Sequence, residues 1–563
     1  METLLRTRLA SLMAAGSLSL AFSIEAALPE LEHFFPIVVR PGSTQTVTAI
    51  GKFNPWPVEF WSQDPAIQIR ALTNSGSIEV SVQPGVPNGP RLIRARSAGG
   101  ASAPRMLLVE AREHWLEREP NDDGRRSQAI DTLPAALQGR LDKEGDVDVY
   151  RVRVEKGRTL IARLQGYVLG SSMDAVLRLV DEKGFQLAIN HDDGKTLDPF
   201  LSWTASRSET VFVQVFGFKY PADSSVRFSG DSKSVYRLEI TDGVWVEHLL
   251  PLGVNASAAA DVVAVGWNFS PGGAKIKVDP SMWLSCRDGH ANLDLPLAMN
   301  TLTVPVGRGP EWMETTLPRE APRAPFAITG ELTQPGEQDR WPLRAGKGER
   351  LLLRAQSARF GFPLDPWLKV FDAAGKQLAH TDDADSLDAQ LDWVVPEDGE
   401  YAIVVGGLLQ RGGSECRYRL SVEPVEPGLK LSVAEHQVVV EVGKTNSLRV
   451  TASRLYGFTN KVELRWEGGR EGLQVAPVAV PENGGEMELK FVPELTASLR
   501  SEAIRLEAVE LDGGRRFPVR YWMTTTGINN GVPNGYHTML VESTDQLWLA
   551  VTRPPTNAVA AKP

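Results

Sequence analysis

Short runs in which apolar and polar residues alternate extend along most of the chain. Examples are 46–50, 78–82 and 91–95, and glycine and proline separate such runs at 41–42 and 84–85. Alternation with a period of two, bounded by turn residues, is typical of half-buried strands. A helical period is nearly absent. The pattern therefore predicts an all-β fold class made of tandem β-sandwich domains, with little helix.

Two parts of the chain repeat each other. Leu31-Glu-His-Phe-Phe-Pro36 matches Val246-Glu-His-Leu-Leu-Pro251, and the match continues without a gap to Gly51 and Gly266. A second ungapped match joins 139–187 to 330–378. Repetition on this scale indicates that a unit of two domains occurs twice.

The 563 residues are too many for one hydrophobic core and predict about five domains. Small sandwiches that look like immunoglobulin or IPT modules alternate with larger, jelly-roll-like ones, and a third immunoglobulin-like sandwich follows. In chain order we assign a signal peptide at 1–26, a small sandwich at 27–112, a larger one at 115–242, a small one at 245–318, a larger one at 322–424, an immunoglobulin-like sandwich at 427–525 and a loosely ordered tail at 526–563.

Acidic and amide side chains gather at the start of the segment 115–242. The set comprises Glu117, Glu119, Asn121, Asp122, Asp146 and Asp148. Their charges would repel one another if they converged, unless a cation gathered them, and calcium takes six to eight oxygen ligands. Zinc or copper would favour His or Cys, and neither occurs at 116–150. The set is also compatible with a solvated acidic linker that ends in an Asn-Asp turn.

These residues and the motifs that follow them carry a resemblance. Glu-Pro-Asn-Asp at 119–122, Gly-Asp-Val-Asp-Val-Tyr at 145–150 and Asn-His-Asp-Asp at 190–193 resemble the bacterial pre-peptidase C-terminal domain, over roughly 116–242. That family is a β-sandwich found beside secreted peptidases and in non-enzymatic surface proteins, and it is related to the collagen-binding domain of clostridial collagenases. In that relative the acidic linker and the Asp-x-Asp bind calcium, so the resemblance implies a calcium site at the six residues named above.

The second copy departs from this pattern. Asp339 is kept, but Glu337 replaces Asp146, and Glu-Pro-Asn-Asp is missing before the segment 322–424. We therefore expect no linker calcium there. A further acidic loop at 190–198 has a counterpart at 381–388, which indicates turn chemistry tied to the fold. A second cation site in these loops remains the alternative.

Composition and motifs restrict the function. The net charge of −10 argues against nucleic-acid binding, which needs a basic surface. No motif of a zinc peptidase, a serine hydrolase or a phosphate-binding loop is present, so we predict no catalytic residues. Cys286 and Cys416 fall in different segments, which argues against a disulfide framework.

The first residues predict export. Arg6 and Arg8 precede an apolar run at 9–24 that suits a cleaved signal peptide, and no later run is long enough to be a transmembrane segment. We expect a secreted, periplasmic or cell-surface protein. Aromatic residues near predicted loop ends could form a binding strip, although most such residues in sandwiches belong to the core. They are Tyr167, Phe216, Phe218, Tyr220, Phe360, Phe362 and Trp367.

The interpretation is an exported, non-enzymatic protein for binding, adhesion or scaffolding. Calcium would be its cofactor, and its partner would be an extracellular polymer, either polysaccharide or protein. The alternative is an accessory component of a secreted peptidase system, with a targeting, substrate-presenting or chaperone-like role toward a separate peptidase. A hydrolase without recognisable motifs at 429–563 is a third, less favoured interpretation.

Overall fold

The computed structural model describes residues 28–553 except 172, 194, 219–227, 270–273, 288, 297, 383–386, 469–470 and 527–537. The segment assigned to the signal peptide lies outside these residues. The described part consists of strands and loops with a few short 3-10 helices and no α-helix. Nor does it contain a helix long and apolar enough to cross a membrane. The predicted all-β class of tandem sandwiches is confirmed.

Domain 1 packs two sheets against each other. Across the first sheet the strands are Glu30–Phe35, Thr44–Lys52, Ser77–Val82 and Ile67–Ala71. Across the second they are Val38–Val39, Arg105–Val109, Gly89–Ser97 and Glu59–Ser62, with Gly100–Ala101 beside Gly89–Ser97. Inward-facing residues such as Phe34, Ile78 and Leu107 alternate with polar ones and fill the core between the sheets.

Domain 2 is a sandwich of two five-stranded sheets. Across the first sheet the strands are Trp115–Leu116, Ala135–Arg140, Val235–Thr241, Thr159–Gln165 and Phe200–Thr204. Across the second they are Gln128–Ile130, Asp148–Val154, Glu209–Phe218, Asp174–Asp181 and Gln186–Asn190. A 3-10 helix, Tyr167–Leu169, connects the two sheets. Both inner faces are apolar, which is what the alternating pattern predicts.

Domains 3 and 4 repeat this arrangement with fewer strands. The sheets of domain 3 contain Trp245–Leu250, Ala260–Trp267 and Ala274–Val278, and then Val254–Asn255, Thr301–Gly307, His290–Asp294 and Trp283–Arg287. Those of domain 4 contain Glu311–Met313, Phe326–Glu331, Arg417–Pro424, Arg350–Gln356 and Ala389–Val394, and then Gln338–Ala345, Gly399–Gly407, Pro366–Phe371 and Gln377–Thr381. Their 3-10 helices are Pro280–Met282, Glu314–Thr316 and Ala358–Phe360.

Domain 5 includes part of the segment predicted to be a tail. Its larger sheet contains Leu473–Gln474, Gly485–Pro493, Asn446–Leu455, Gly428–Val433, Arg516–Thr526, Glu507–Glu510, Val462–Arg465 and Val478–Ala479, with Thr538–Thr544 beside Arg516–Thr526. Its smaller sheet contains Gln437–Glu441, Leu547–Thr552 and Arg500–Ile504.

The two late strands differ from the tail assigned to 526–563. Trp548 is fully buried, and Leu547–Thr552 pairs with two other strands of the smaller sheet. The Gly- and Asn-rich composition of 527–537 hid this apolar run in the sequence. The run completes the core of domain 5, because its side chains cover apolar residues of the larger sheet.

The repeated glycines of domains 1 and 3 have the same structural role. Leu31 pairs with Gly51 and Val246 pairs with Gly266, and each pairing is followed by a shift in strand register. A Cβ atom at Gly51 would lie 1.9 Å from the carbonyl oxygen of Glu30, and one at Gly266 would lie 2.0 Å from that of Trp245. Only glycine permits this close approach of the two strands.

Domain 5 folds back onto domain 1. The buried guanidinium of Arg94 donates hydrogen bonds to the carbonyl oxygens of Ser102, at 3.0 Å, and Gln546, at 3.1 Å, and it lies 3.1 Å from Nδ1 of His436. The rings of Trp61 and Trp548 meet edge to face, with centroids 5.6 Å apart. The first and last domains of the described chain are therefore in direct contact.

Candidate metal centre

The acidic linker lies against the start of domain 2. Trp115–Leu116 pairs in parallel with Ala135–Arg140, and the linker then turns toward Asp148–Val154. The backbone amide of Val149 donates to the carbonyl oxygen of Asn121 at 3.0 Å. This bond places the Glu-Pro-Asn-Asp motif beside the Asp-x-Asp motif, although the two are far apart in sequence.

Three carboxylates meet at this point. Glu119, Asp146 and Asp148 each place an oxygen within 4.8 Å of the others. Asp146, Asp148 and Asn121 are completely buried. Neither Asn121 Oδ1 nor Asn121 Nδ2 has a hydrogen-bond partner, and the same holds for Oδ1 of Asp146 and Oδ1 of Asp148. Buried polar atoms normally have hydrogen-bond partners, so these unsatisfied atoms are candidate ligands for a cation.

The protein fixes the other oxygen of each of these carboxylates. Asp146 Oδ2 accepts a hydrogen bond from the amide of Asp142 at 2.7 Å. Asp148 Oδ2 accepts one from the hydroxyl of Tyr236, and Glu119 Oε2 accepts one from the amide of Asn121 at 3.1 Å. In both aspartates one oxygen is thus held in place, while Oδ1 accepts no hydrogen bond. Asp146 Oδ1 is 3.7 Å from the ammonium nitrogen of Lys143, which a bound cation would have to displace.

Glu117 joins the cluster through Asp148. Its Oε2 accepts a hydrogen bond from the amide of Arg140 at 2.7 Å, and its carboxyl group lies beside that of Asp148. Burial raises the pKa of Glu117, and the neighbouring charge of Asp148 raises it further. Burial also raises the pKa of Asp148, and the hydrogen bond from Tyr236 partly opposes this increase. A bound cation would reverse these shifts, because it favours the ionised carboxylates.

Glu119 and Asp122 lie nearer the surface. Burial, followed by the charge of Asp146, raises the pKa of Glu119. The carboxylate of Asp122 is 3.0 Å from Arg126 and 3.7 Å from Lys143, so its charge is compensated by side chains outside the buried cluster. The structure thus groups Glu117, Glu119, Asn121, Asp146 and Asp148, whereas Asp122 lies at the rim with two cations.

A glycine and two tyrosines pack against the carboxylate cluster. A Cβ atom at Gly139 would lie 2.2 Å from the Tyr236 ring and 2.7 Å from Oε2 of Glu117, so only glycine leaves room for both side chains. The hydroxyls of Tyr150 and Tyr236 are 2.6 Å apart, and both tyrosines are fully buried. This chain of hydrogen bonds fixes the position of Asp148.

Domain 4 also contains a counterpart of Glu117, which the sequence comparison did not reveal. Trp312 pairs with Ile328 as Trp115 pairs with Leu137, which aligns Glu314 with Glu117. The Glu314 Oε2 atom accepts from the amide of Glu331 at 3.1 Å, as Glu117 does from Arg140. The shared Trp-x-Glu at 115–117 and 312–314 was the sequence signal that could have revealed it.

Two candidate ligands of domain 2, Glu119 and Asn121, are replaced in domain 4. The same alignment places Thr316 opposite Glu119 and Pro318 opposite Asn121. Asp339 still accepts a hydrogen bond from Tyr418, as Asp148 does from Tyr236. The tyrosine–aspartate bond is therefore common to both domains, while the full oxygen set belongs to domain 2.

The chemistry of this set suits a hard cation. Every donor is a carboxylate or amide oxygen, and calcium prefers such donors in flexible shells of six to eight. Three buried residues with unpartnered atoms support the fit of these residues to such an ion.

The aromatic strip considered from the sequence does not form a continuous surface. Tyr167 and Phe216 are buried. Phe218 is 45% exposed, and Tyr220 lies outside the described residues. In domain 4 the corresponding rings, including Phe360 and Phe362, are partly buried.

Comparisons with known proteins add little. No protein-family model matches the chain, and no curated protein matches it. Among solved structures, fibronectin(III)-like modules of Clostridium thermocellum CbhA are similar over 40% of this chain and 90% of that chain, with 14% sequence identity and a TM-score of 0.13.

Proposed function

We propose that this protein is an exported, non-catalytic scaffold or binding protein, in which calcium orders the junction between domains 1 and 2. The observation that carries the proposal is the fully buried Asn121, whose side-chain amide has no hydrogen-bond partner. The Oδ1 atoms of the buried Asp146 and Asp148 also accept no hydrogen bond. Burying such groups unsatisfied costs about 1–3 kcal/mol each. A calcium ion would satisfy the oxygens among them together.

The arrangement of the chain supports the scaffold part of the proposal. The amide of Val38 in domain 1 donates to Gln138 Oε1 in domain 2 at 2.7 Å. In the second unit the amide of Leu252, one residue before the counterpart of Val38, donates to Oγ1 of Thr329, the counterpart of Gln138, at 2.8 Å. The same junction is thus built twice, and only the first copy adds the acidic linker. Calcium would therefore control the order of one junction within a framework that folds without it.

The resemblance to the pre-peptidase C-terminal domain supports an extracellular setting. The partner we propose is an extracellular polymer that binds where calcium has ordered the linker. The alternative role beside a separate secreted peptidase uses the same domains and would show itself as binding to the peptidase instead of the polymer.

Limited proteolysis tests the proposal. Trypsin cleaves after arginine, and Arg118, Arg125 and Arg126 lie in the linker. We expect EDTA to increase cleavage at these three sites in the full chain and added calcium to suppress it, while cleavage in domain 4 stays constant. Equal cleavage with calcium and with EDTA would show that the linker is a solvated connector.

A further inference from the structure

A second group of metal-type donors lies at the same end of domain 2, across the strand Glu209–Phe218 from the linker cluster. Asp174 begins the strand Asp174–Asp181, and His191 and Asp192 follow the neighbouring strand Gln186–Asn190. One donor atom from each of the three residues lies within 4.8 Å of the others. His191 Nε2 is 2.7 Å from Asp174 Oδ1, and His191 Nδ1 is 3.6 Å from Asp192 Oδ2. This group is separate from the linker cluster and contains a nitrogen donor.

A buried hydroxyl points to a ligand at the same place. Tyr167 is 1% exposed, and its hydroxyl makes no hydrogen bond of good geometry. The hydroxyl lies close to the carboxyl group of Asp174, so it faces this group of donors. A buried hydroxyl without a well-aligned partner is unfavourable. A metal ion with its bound water would give this hydroxyl a partner.

The neighbouring acidic residues have structural roles that account for them. Asp198 Oδ1 accepts hydrogen bonds from the amides of Gly166 and Tyr167, at 2.9 and 2.7 Å. Asp388 does the same in domain 4 for the amides of Ser357 and Ala358, at 2.7 and 2.8 Å. These bonds reach the start of a 3-10 helix and are common to both domains, so they differ from the local turn bonds predicted for the loops. Asp193 makes such local bonds in domain 2, where its Oδ1 accepts from the amides of Lys195 and Thr196 at 2.7 and 2.6 Å.

A histidine at the position of His191, in contrast, is found only in domain 2. Asn190 pairs with Leu177, and Thr381 occupies the same register opposite Leu368. Domain 4 then continues directly with Asp382, whereas domain 2 has His191 before Asp192. His191 is thus the residue by which the loop of domain 2 is longer. The sandwich of domain 4 folds without it, so the fold does not require this side chain.

The position of His191 suits an ion that enters from solvent. Its side chain is 31% exposed, while Asp174 beneath it is buried. The ring of Phe218 meets the imidazole edge to face, with centroids 5.0 Å apart, which fixes the orientation of the imidazole. Imidazole and carboxylate together suit borderline divalent ions such as zinc, whereas calcium prefers oxygen donors alone.

We propose that Asp174, His191 and Asp192 bind a divalent transition-metal ion of the zinc class, with the hydroxyl of Tyr167 facing the ion's ligand shell. The ion would join the strand Asp174–Asp181 to the loop after Gln186–Asn190. Because its donors include nitrogen, this site and the calcium linker would fill independently.

Zinc titration of the full chain tests this site. The protein is stripped with EDTA, dialysed, saturated with calcium and titrated with zinc chloride by calorimetry. Cobalt absorption provides a second readout of a nitrogen-containing ligand set. We expect one zinc per chain that is lost, or weakened at least about tenfold, in His191→Gln. His380→Gln is the matched control, because His380 is an exposed histidine on the equivalent strand of domain 4.

Several outcomes would overturn the proposal. Absence of zinc binding by the wild-type chain at micromolar concentrations would leave His191 as an ion-pair partner of the two aspartates. Equal zinc binding by the wild type and by His191→Gln would place the metal elsewhere. Asp192→Asn provides a second test if His191→Gln does not fold, and unchanged calcium affinity in either variant shows that domain 2 is intact.

Discussion

The hydroxyl of Tyr236 donates a hydrogen bond to Oδ2 of Asp148 from the opposite sheet of domain 2. This bond fixes one oxygen of the aspartate, and the other oxygen has no partner. Domain 4 repeats the bond between Tyr418 and Asp339, but Thr316 and Pro318 replace Glu119 and Asn121 there. A structural hydrogen bond shared by both domains has thus become, in domain 2, the support of a candidate metal ligand.

Asp146→Asn should weaken calcium binding by at least about tenfold, or about 1.4 kcal/mol. The change removes a charge from a fully buried position while it keeps the size of the side chain. Calorimetric titration of the full chain with calcium measures the affinity. Glu337→Gln, at the equivalent position of domain 4, is the matched control and should leave calcium affinity unchanged. Equal affinity in all three proteins would exclude Asp146 as a ligand.

Without calcium, domain 2 should lose stability as the pH rises. The pKa values of Glu117 and Asp148 are raised in the folded protein, so between their ordinary values near pH 4 and the raised values the folded state binds more protons than the unfolded state. Rising pH removes those protons and therefore destabilises the fold.

Hydrogen exchange of peptides from 117–154 measures this loss of stability near the cluster. We expect protection in EDTA to fall by at least about 1.4 kcal/mol between about pH 5.5 and about pH 8.5, after correction for the intrinsic exchange rate. Calcium should remove this dependence, because it favours the ionised carboxylates. Protection that is independent of pH in EDTA would contradict the assigned pKa shifts.

Tyr236→Phe should destabilise domain 2 by about 1–3 kcal/mol, because it leaves a buried acceptor on Asp148 unsatisfied. It should also weaken calcium binding near neutral pH, since the lost hydrogen bond raises the pKa of Asp148 further. Denaturant unfolding and calorimetry measure the two effects. Tyr418→Phe should destabilise domain 4 and leave calcium affinity unaltered. Weakened calcium binding in Tyr418→Phe would contradict the assignment of the site to domain 2.

Arg94→Ala should open the contact between domains 1 and 5. The guanidinium is buried and donates to the carbonyl oxygen of Gln546, so its removal leaves that acceptor unsatisfied and creates a cavity. We expect a larger radius of gyration by small-angle scattering and a lower unfolding temperature. Arg70→Ala, which removes only an exposed ion pair with Glu79, should change neither quantity. An unchanged radius for Arg94→Ala would show that other contacts suffice to hold the two domains.

The sequence by itself determined the strands and their grouping into repeated units. Alternation of apolar and polar residues is a local property, and the side-chain period of a strand makes it readable without the fold. The repeated Gly51 and Gly266 could also be aligned from sequence. Both positions have kept glycine, because the close approach of the two strands leaves no room for a Cβ atom. The apolar run of Leu547–Thr552 was missed, since the glycine- and asparagine-rich stretch before it dominated the composition.

Only the tertiary structure decided which polar groups meet. It placed Asn121 beside the start of Asp148–Val154, turned Asp122 toward Arg126, aligned Glu314 with Glu117 and set His191 between two aspartates. The contacts of Asn121 and of His191 with Asp174 join residues far apart in the sequence, and their distances follow from sheet register and from packing between sheets. Sequence spacing carries no information on such distances, so the candidate ligands could be collected from the sequence, while their geometry required the fold.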